Sequence, residues 1–444
     1  MIPLSKSDTE SSGTSIASSA AATVDEAELA RRVAGLTLEQ KVRLLTGADF
    51  WALHPEPAAG LRRLVTSDGP AGVRGERWDE RDTSANIPSP TALAATWDAG
   101  RVERMGRLLA AQARSKGVAV LLAPTINLHR SALGGRHFEC FSEDPLLTAW
   151  IGAAFVTGVQ AGGVAACAKH FVANDSETQR MTLDARVGER ALRELYLAPF
   201  QALVDAGVWT VMAAYNGVNG HTMTESPMLR DILQVEWGFD GAVVSDWTAT
   251  RSVVEAGRAG LDLAMPGPTS PWTVGLVEAV RSGRLEAGLV DDKVARILRL
   301  AARVGVLDGF APAVPSPEAE AVAAGWTDDA IAAEIRGTAA ASFVLLRNEA
   351  ETLPLQAAGL RRVAVIGPNA ASARTLGGGS ATVFPPYTVS PLAGLSAALG
   401  EGVQVEHVVG AQEPATSSWA VRCVPGRRST GSAVSGPGST PTRS

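Results

Sequence analysis

Several things are scarce in this chain, and each scarcity closes off a class of protein. Cysteine occurs three times in 444 residues, as Cys140, Cys167 and Cys423, with no CxxC spacing. That excludes a disulfide scaffold and a cysteine-rich metal site, and it points to free thiols in a reducing compartment. Basic residues do not outnumber acidic ones: 40 Lys and Arg stand against 46 Asp and Glu, for a net charge of −6. A nucleic-acid partner calls for a basic face, so none is expected. No apolar run reaches the roughly 18 residues of a membrane span, so no membrane partner is expected either. The first 34 residues are rich in Ser, Ala and Thr and lack a basic start followed by an apolar core. They read as a disordered leader without a secretion signal, which implies a cytoplasmic protein. Histidine is rare too: His129, His137 and His221 form no metal set at ligand spacing, and no cofactor is expected. Gly377–Gly379 is glycine-rich but lacks the GxxxxGK[ST] or GxGxxG form of a phosphate cradle.

What the chain does have is a large apolar fraction, 46%, and a repeating order. Short apolar, β-branched runs end in polar residues, and a helix-like segment follows each. The runs are residues 61–67 (ending at Asp68), 118–123 (ending near Asn127), 164–168 (ending at Lys169 and His170), 208–214 (ending at Tyr215 and Asn216), 242–245 (ending at Asp246) and 261–264. Strands alternating with helices mean βα units and a parallel sheet. Residues 35–307 have the length of a (β/α)8 TIM-like barrel, with any further units concealed in the mostly helical 273–306. Residues 308–327 read as a linker, helped by Pro and Gly. Residues 328–412 read as a partial α/β sandwich, with strands expected at 344–346, 363–366 and 403–409. Residues 413–444 turn rich in Ser, Thr, Pro, Gly and Arg and read as a disordered tail, with the abruptness of a truncated or frame-shifted end.

Catalytic groups of such barrels lie at the carboxyl ends of the strands. There the pattern offers Asp68, Arg136, Lys169, His170, Arg180, Tyr215 and Asp246, two carboxylates among three cations, an imidazole and a phenol. Sugar hydroxyls both donate and accept, so a set of charged donors and acceptors suits them. Trp247 adds a flat apolar wall. Asp246 is placed to attack an anomeric carbon, in a retaining reaction that uses two carboxyl groups about 5 Å apart. The cations would keep it ionised.

These residues lie in stretches that resemble glycoside hydrolase family 3 of the β-glucosidase type. They are SDGPAGVRG from Ser67, LLAPTINLHRSALGGRHFECFSEDP from Leu121, KHFVANDSETQR from Lys169, YNGVNG from Tyr215, WGFDGAVVSDW from Trp237 and DLAMPGP from Asp262. GGGSATVFPPYTVSPLAGL from Gly377 resembles the start of that family's second domain. The resemblance implies a retaining, exo-acting β-glycosidase with Asp246 as nucleophile. It implies Asp68, Arg136, Lys169, His170, Arg180 and Tyr215 around the glycone, Met212 and Trp247 as walls, and a structural Glu139 paired with a neighbouring cation. The substrate would be a small-molecule or oligosaccharide β-glycoside; glucose, xylose (a β-xylosidase on the same scaffold), galactose and arabinose stay open.

Two departures matter. Phosphorylase-like members and N-acetylglucosaminidases carry a histidine acid shortly after the KHF segment, where this chain reads Ala173-Asn174-Asp175-Ser176-Glu177. The acid should then be a carboxylate from the second domain. Glu401, Glu406 and Glu413 lack the expected context, so no acid/base residue is identified, and a catalytically impaired, sugar-binding remnant is the competing expectation.

Overall fold

The computed structural model describes residues 24–411; the greater part of the expected leader and all of the tail 413–444 lie outside them. Its centre is a parallel sheet of five short strands, Thr66–Asp68, Val120–Leu122, Ala165–Phe171, Thr210–Ala213 and Ala242–Ser245, paired in chain order. Every residue in these strands is buried. That is why they read as continuous apolar runs rather than alternating ones. The helices between them, chiefly Ala99–Ser115, Pro145–Ala161 and Ala198–Asp205, cover the sheet. Asp98 and Asp144 cap the first two by accepting from backbone N–H groups in the first turn.

Among the described residues the parallel strands number five, short of the expected eightfold repeat. After Ser245 the sheet continues only through single-residue bridges: Val244 to Leu263, Ala264 to Thr46, Gly47 to Leu53 and Ala52 to Val65. The last two are antiparallel, and Val65 immediately precedes the first strand. The expected strand at 261–264 is therefore two bridging residues. No further unit is concealed in 273–306, which holds the helices Trp272–Arg281 and Ala287–Arg303. Those helices are strongly amphipathic and use their apolar faces to close the core rather than to alternate with strands.

Other boundaries shift as well. Glu26–Ala34, placed in the leader, is a helix: Asp25 caps it, Leu29 and Val33 are buried, and Glu26 pairs with Arg299. Ser316–Ala324 is helical inside the expected linker. Asp328–Ala341, expected to open the second unit, leans on the first, where Glu334 meets Arg104 at 3.2 Å and Thr338 accepts from Arg101 at 3.5 Å. Beyond it, Arg362–Ile366 and Gln404–Val408 form a two-stranded parallel sheet beside the helix Pro391–Leu399. Residues 344–346 form no strand, and Phe343, Val344, Leu345 and Leu346 are exposed. A two-stranded sheet has too few backbone partners to be stable alone. What holds this region is its docking on the first: Phe384 O accepts from Ser84 N at 2.9 Å, and Ser380 O accepts from Arg74 at 3.1 Å.

Candidate active site

Because the five strands run parallel, their carboxyl ends share one rim, and that is where the charged residues collect. Asp68 ends the first strand and lies level with Leu122, its register partner in the second strand; Lys169 is level with Met212 in the fourth strand, which is level with Val244 in the fifth. Lys169 Nζ donates to Asp68 Oδ1 at 2.6 Å with both groups buried. Burial pushes the Asp68 carboxyl up, but the Lys169 charge and hydrogen bond, a hydrogen bond from Ser380 and the charge of Arg136 outweigh it and hold it below the usual carboxylate range.

In a regular strand neighbouring side chains point to opposite faces. Lys169 and His170 nonetheless both reach the site, because the pairing with the fourth strand slips by one residue between Lys169 and Phe171. Such an irregularity re-aims a side chain. His170 Nε2 stands 3.6 Å from Asp246 Oδ2. Asn127 holds His170 three ways: its Oδ1 accepts from the His170 backbone N–H at 2.9 Å and from Nδ1 at 3.1 Å, and its Nδ2 donates to the His170 carbonyl at 2.9 Å. Burial, then the charges of Arg136, Lys169 and Arg180, push the imidazole pKa well down. The ring is therefore neutral, with its hydrogen on Nδ1 and a bare Nε2 facing Asp246.

Asp246 Oδ1 accepts from the Trp247 N–H at 2.7 Å, while Oδ2 is buried and has no partner. Burial raises its pKa, opposed by Arg136, Lys169, the Trp247 N–H and Arg180. Arg136 forks onto Glu139 through two 3.0 Å bonds, and its remaining Nη1 is buried without a hydrogen bond, 3.9 Å from Glu177 Oε1. An acceptor and a donor that both lack a hydrogen bond in one buried site invite a ligand that offers both, as a hydroxylated ring does.

The other expected residues fall into place around these. Arg180 bonds Glu177 at 2.7 Å and stacks over the Tyr215 ring at 4.3 Å. The Tyr215 hydroxyl donates to the Trp247 carbonyl at 2.9 Å; burial and the Asp246 charge raise its pKa. Met212 is buried in the fourth strand. Trp247 is fixed by a 2.8 Å bond from its indole N–H to Phe50 O and packs at 5.3 Å on Trp51. Asn127, Ser380, Phe50 and Trp51 are the contributors that sequence reasoning did not single out. Asn127 and Ser380 lay inside quoted motifs, but nothing in the pattern said which residue they would face. Among the described residues no group of three or more His, Cys, Asp or Glu is arranged to hold a metal, and no helix is long and apolar enough to cross a membrane. Cys140 and Cys167 are buried free thiols, and burial pushes the Cys167 pKa up to about 12.

Residues 36–300 match the glycosyl hydrolase family 3 N-terminal domain, more than half of the chain, and residues 343–434 match the family's C-terminal domain. The chain belongs to glycosyl hydrolase family 3. A β-glucosidase of Rhizobium radiobacter is 48% identical over 378 residues, covering 84% of this chain and 45% of its own length. β-Glucosidase B of Emericella nidulans is 43% identical over 399 residues, covering 87% and 45%. The β-glucosidase of Kluyveromyces marxianus in complex with glucose superposes with a TM-score of 0.79 at 36% identity, covering 87% of this chain and 47% of that one. β-Glucosidase 3B of Thermotoga neapolitana in complex with glucose gives 0.76 at 35% identity, covering 85% and 55%. This family 3 chain thus spans about half the length of the curated relatives it matches.

Proposed function

We propose that this chain carries the glycone site and nucleophile of a retaining, exo-acting β-glycosidase, β-glucosidase-like in its substrate. The supporting observation is the Asp246 carboxylate: Oδ2 is buried and unpartnered, a bare imidazole nitrogen is 3.6 Å away, and the charges of Arg136, Lys169 and Arg180 act on it. Those cations favour the ionised form against burial. In the first step Asp246 Oδ2 forms a bond to the anomeric carbon. The leaving oxygen departs with the electron pair of the glycosidic bond, and water later releases the sugar. Asp68, ionised beside Lys169, accepts from glycone hydroxyls. Arg136 Nη1 donates to one, His170 Nε2 accepts from another, and Arg180 and Tyr215 line the site beside Met212 and the Trp247 wall. The similarity to β-glucosidases solved with glucose favours glucose as the glycone.

None of Asp68, Glu139 and Glu177 is free to act as general acid. Asp68 is held ionised by Lys169, Glu139 is forked by Arg136, and Glu177 is bonded to Arg180. An acid must arrive protonated, and its absence costs roughly 100- to 10,000-fold for leaving groups that need a proton. The reading is therefore a nucleophile-competent site that turns over aryl glucosides with good leaving groups and is slow on alkyl glucosides. Its test is covalent labelling by a 2-fluoro glucosyl inactivator with an activated leaving group, read by mass spectrometry. We expect one glucosyl adduct on Asp246 that Asp246→Asn abolishes. Labelling that survives the substitution removes Asp246 from this role, and no labelling of the native chain leaves only the sugar-binding remnant.

A further inference from the structure

A second site lies at the opposite end of the strand that delivers Asp246. There, Gly238, Phe239 and Asp240 lead into Ala242–Ser245, and a cavity of about 470 Å³ opens between them and the helix Ala287–Arg303. Five cationic side chains line it against three carboxylates. Lys293 is 4% exposed, yet among the described residues its ammonium makes no hydrogen bond and no ion pair. The nearest charge of opposite sign is Asp262, 1% exposed, whose Oδ2 accepts from Val243 N at 2.8 Å and which acts on Lys293 only across a gap. Asp240 is occupied by Arg303, which does not line the cavity. Asp292 is exposed at its edge. Of the guanidinium groups, Arg299 is engaged with Glu26, and Arg296 spends one nitrogen on the carbonyls of Phe239 and Gly241. Arg230, also lining the cavity, has no side-chain partner among the described residues.

The Lys293 side chain is mostly buried while its ammonium opens only onto the cavity, where a ligand that offers acceptors can pair with it. Here it faces a cavity large enough for a small metabolite, with fork-shaped donors on the walls and a surplus of positive charge. Planar guanidinium forks and a point-charge ammonium are the donors that recognise phosphate. We propose that this basal cavity binds a phosphate dianion, free or carried by a small ester such as a sugar phosphate, with Lys293 at its floor and Arg230 and Arg296 on its walls. It is remote from the glycone site and independent of the reaction proposed there.

The test is isothermal calorimetry on the full chain, titrated with inorganic phosphate and, separately, with glucose 6-phosphate, with glucose as the uncharged control. Saturable binding of either phosphate species that persists when the glycone site is first saturated with glucose supports the proposal. Tighter binding of the ester identifies the ester as the ligand; equal affinities identify the free ion. Lys293→Met should weaken binding by more than about tenfold, the order expected for a charge-assisted bond to phosphate. Should that buried substitution prevent folding, Arg230→Ala, at an exposed position, carries the test with the same expected direction. Arg230→Ala should leave hydrolysis of an aryl glucoside unchanged. No saturable binding of either phosphate species, or affinity unchanged in both Arg230→Ala and Lys293→Met, overturns the proposal.

Discussion

Removing the Asn127 side chain probes the least conspicuous part of the site. In Asn127→Ala three polar groups of His170, the backbone N–H, the carbonyl and Nδ1–H, lose the partners that Asn127 gives them at 2.9, 2.9 and 3.1 Å. His170 is 2% exposed, so water does not readily replace them. At about 1–3 kcal/mol for each buried group left unsatisfied, the loss is on the order of 3–9 kcal/mol. Against a typical stability of about 5–15 kcal/mol that is severe, and it should appear as a large drop in the urea midpoint. Asn127→Asp separates geometry from stability. Its carboxylate keeps both acceptor contacts and loses only the bond to the His170 carbonyl, so the stability loss should be smaller, about 1–3 kcal/mol. It also places a negative charge beside Nδ1, which raises the His170 pKa. On the acid side of that new value the ring is a cation whose Nε2–H bonds Asp246 and occupies the oxygen needed for attack. The kcat/KM of Asn127→Asp on a dinitrophenyl glucoside should therefore fall at mildly acidic pH, where the native profile is still flat, and recover as pH rises. A native-like urea midpoint for Asn127→Ala together with a native-like pH profile for Asn127→Asp would refute both the clamp and the fixed tautomer.

Other expectations follow from the same geometry. Lys169→Met strips buried Asp68 of its partner and should cost about 3–5 kcal/mol at neutral pH. With native Lys169, the depressed Asp68 pKa stabilises the fold above the unfolded value of about 3.9 and is lost only as pH falls through the lower folded value. In the variant burial is opposed only by the Ser380 hydrogen bond and the Arg136 charge, so the Asp68 pKa rises and acid denaturation curves should show the deficit shrinking as pH drops. The acid limb of kcat/KM should lie above an ordinary aspartate value of about 3.9, because burial raises Asp246, and Arg180→Met should move it higher still by removing one of the opposing cations. A Cβ built at Gly377 would overlap the Phe138 ring, so Gly377→Ala should lift the segment that carries Ser380 off Asp68. Weaker glucose inhibition, with the urea midpoint little changed, is the expected reading.

How much of this was written in the sequence depends on distance along the chain. The apolar runs fixed where strands start and stop, because a strand buried on both faces admits almost nothing polar until it emerges; Asp246 directly after Ala242–Ser245 is the plainest case. The helices Ala99–Ser115 and Pro145–Ala161 are among the helix-like segments expected to follow the apolar runs. Which residues share a rim also followed, since parallel strands deliver their ends to one side. Pairings across the site did not follow. That Lys169 meets Asp68, 101 residues away, depends on packing, as does the one-residue slip that brings His170 to the same face. The five strands and the single bridges that continue them are likewise tertiary: Leu263 and Ala264 are as apolar as any strand, but Leu263 bridges Val244 on one side and Ala264 bridges Thr46 on the other, so neither extends into a ladder. The second unit illustrates the same limit from the other side. Residues 344–346 have the composition of a strand, and among the described residues no strand pairs with them. Local chemistry therefore determined most of the buried strands and the candidate nucleophile at the end of one of them, while long-range packing decided which groups touch it, because hydrogen-bond partners and the desolvation that shifts a pKa exist only once distant segments meet.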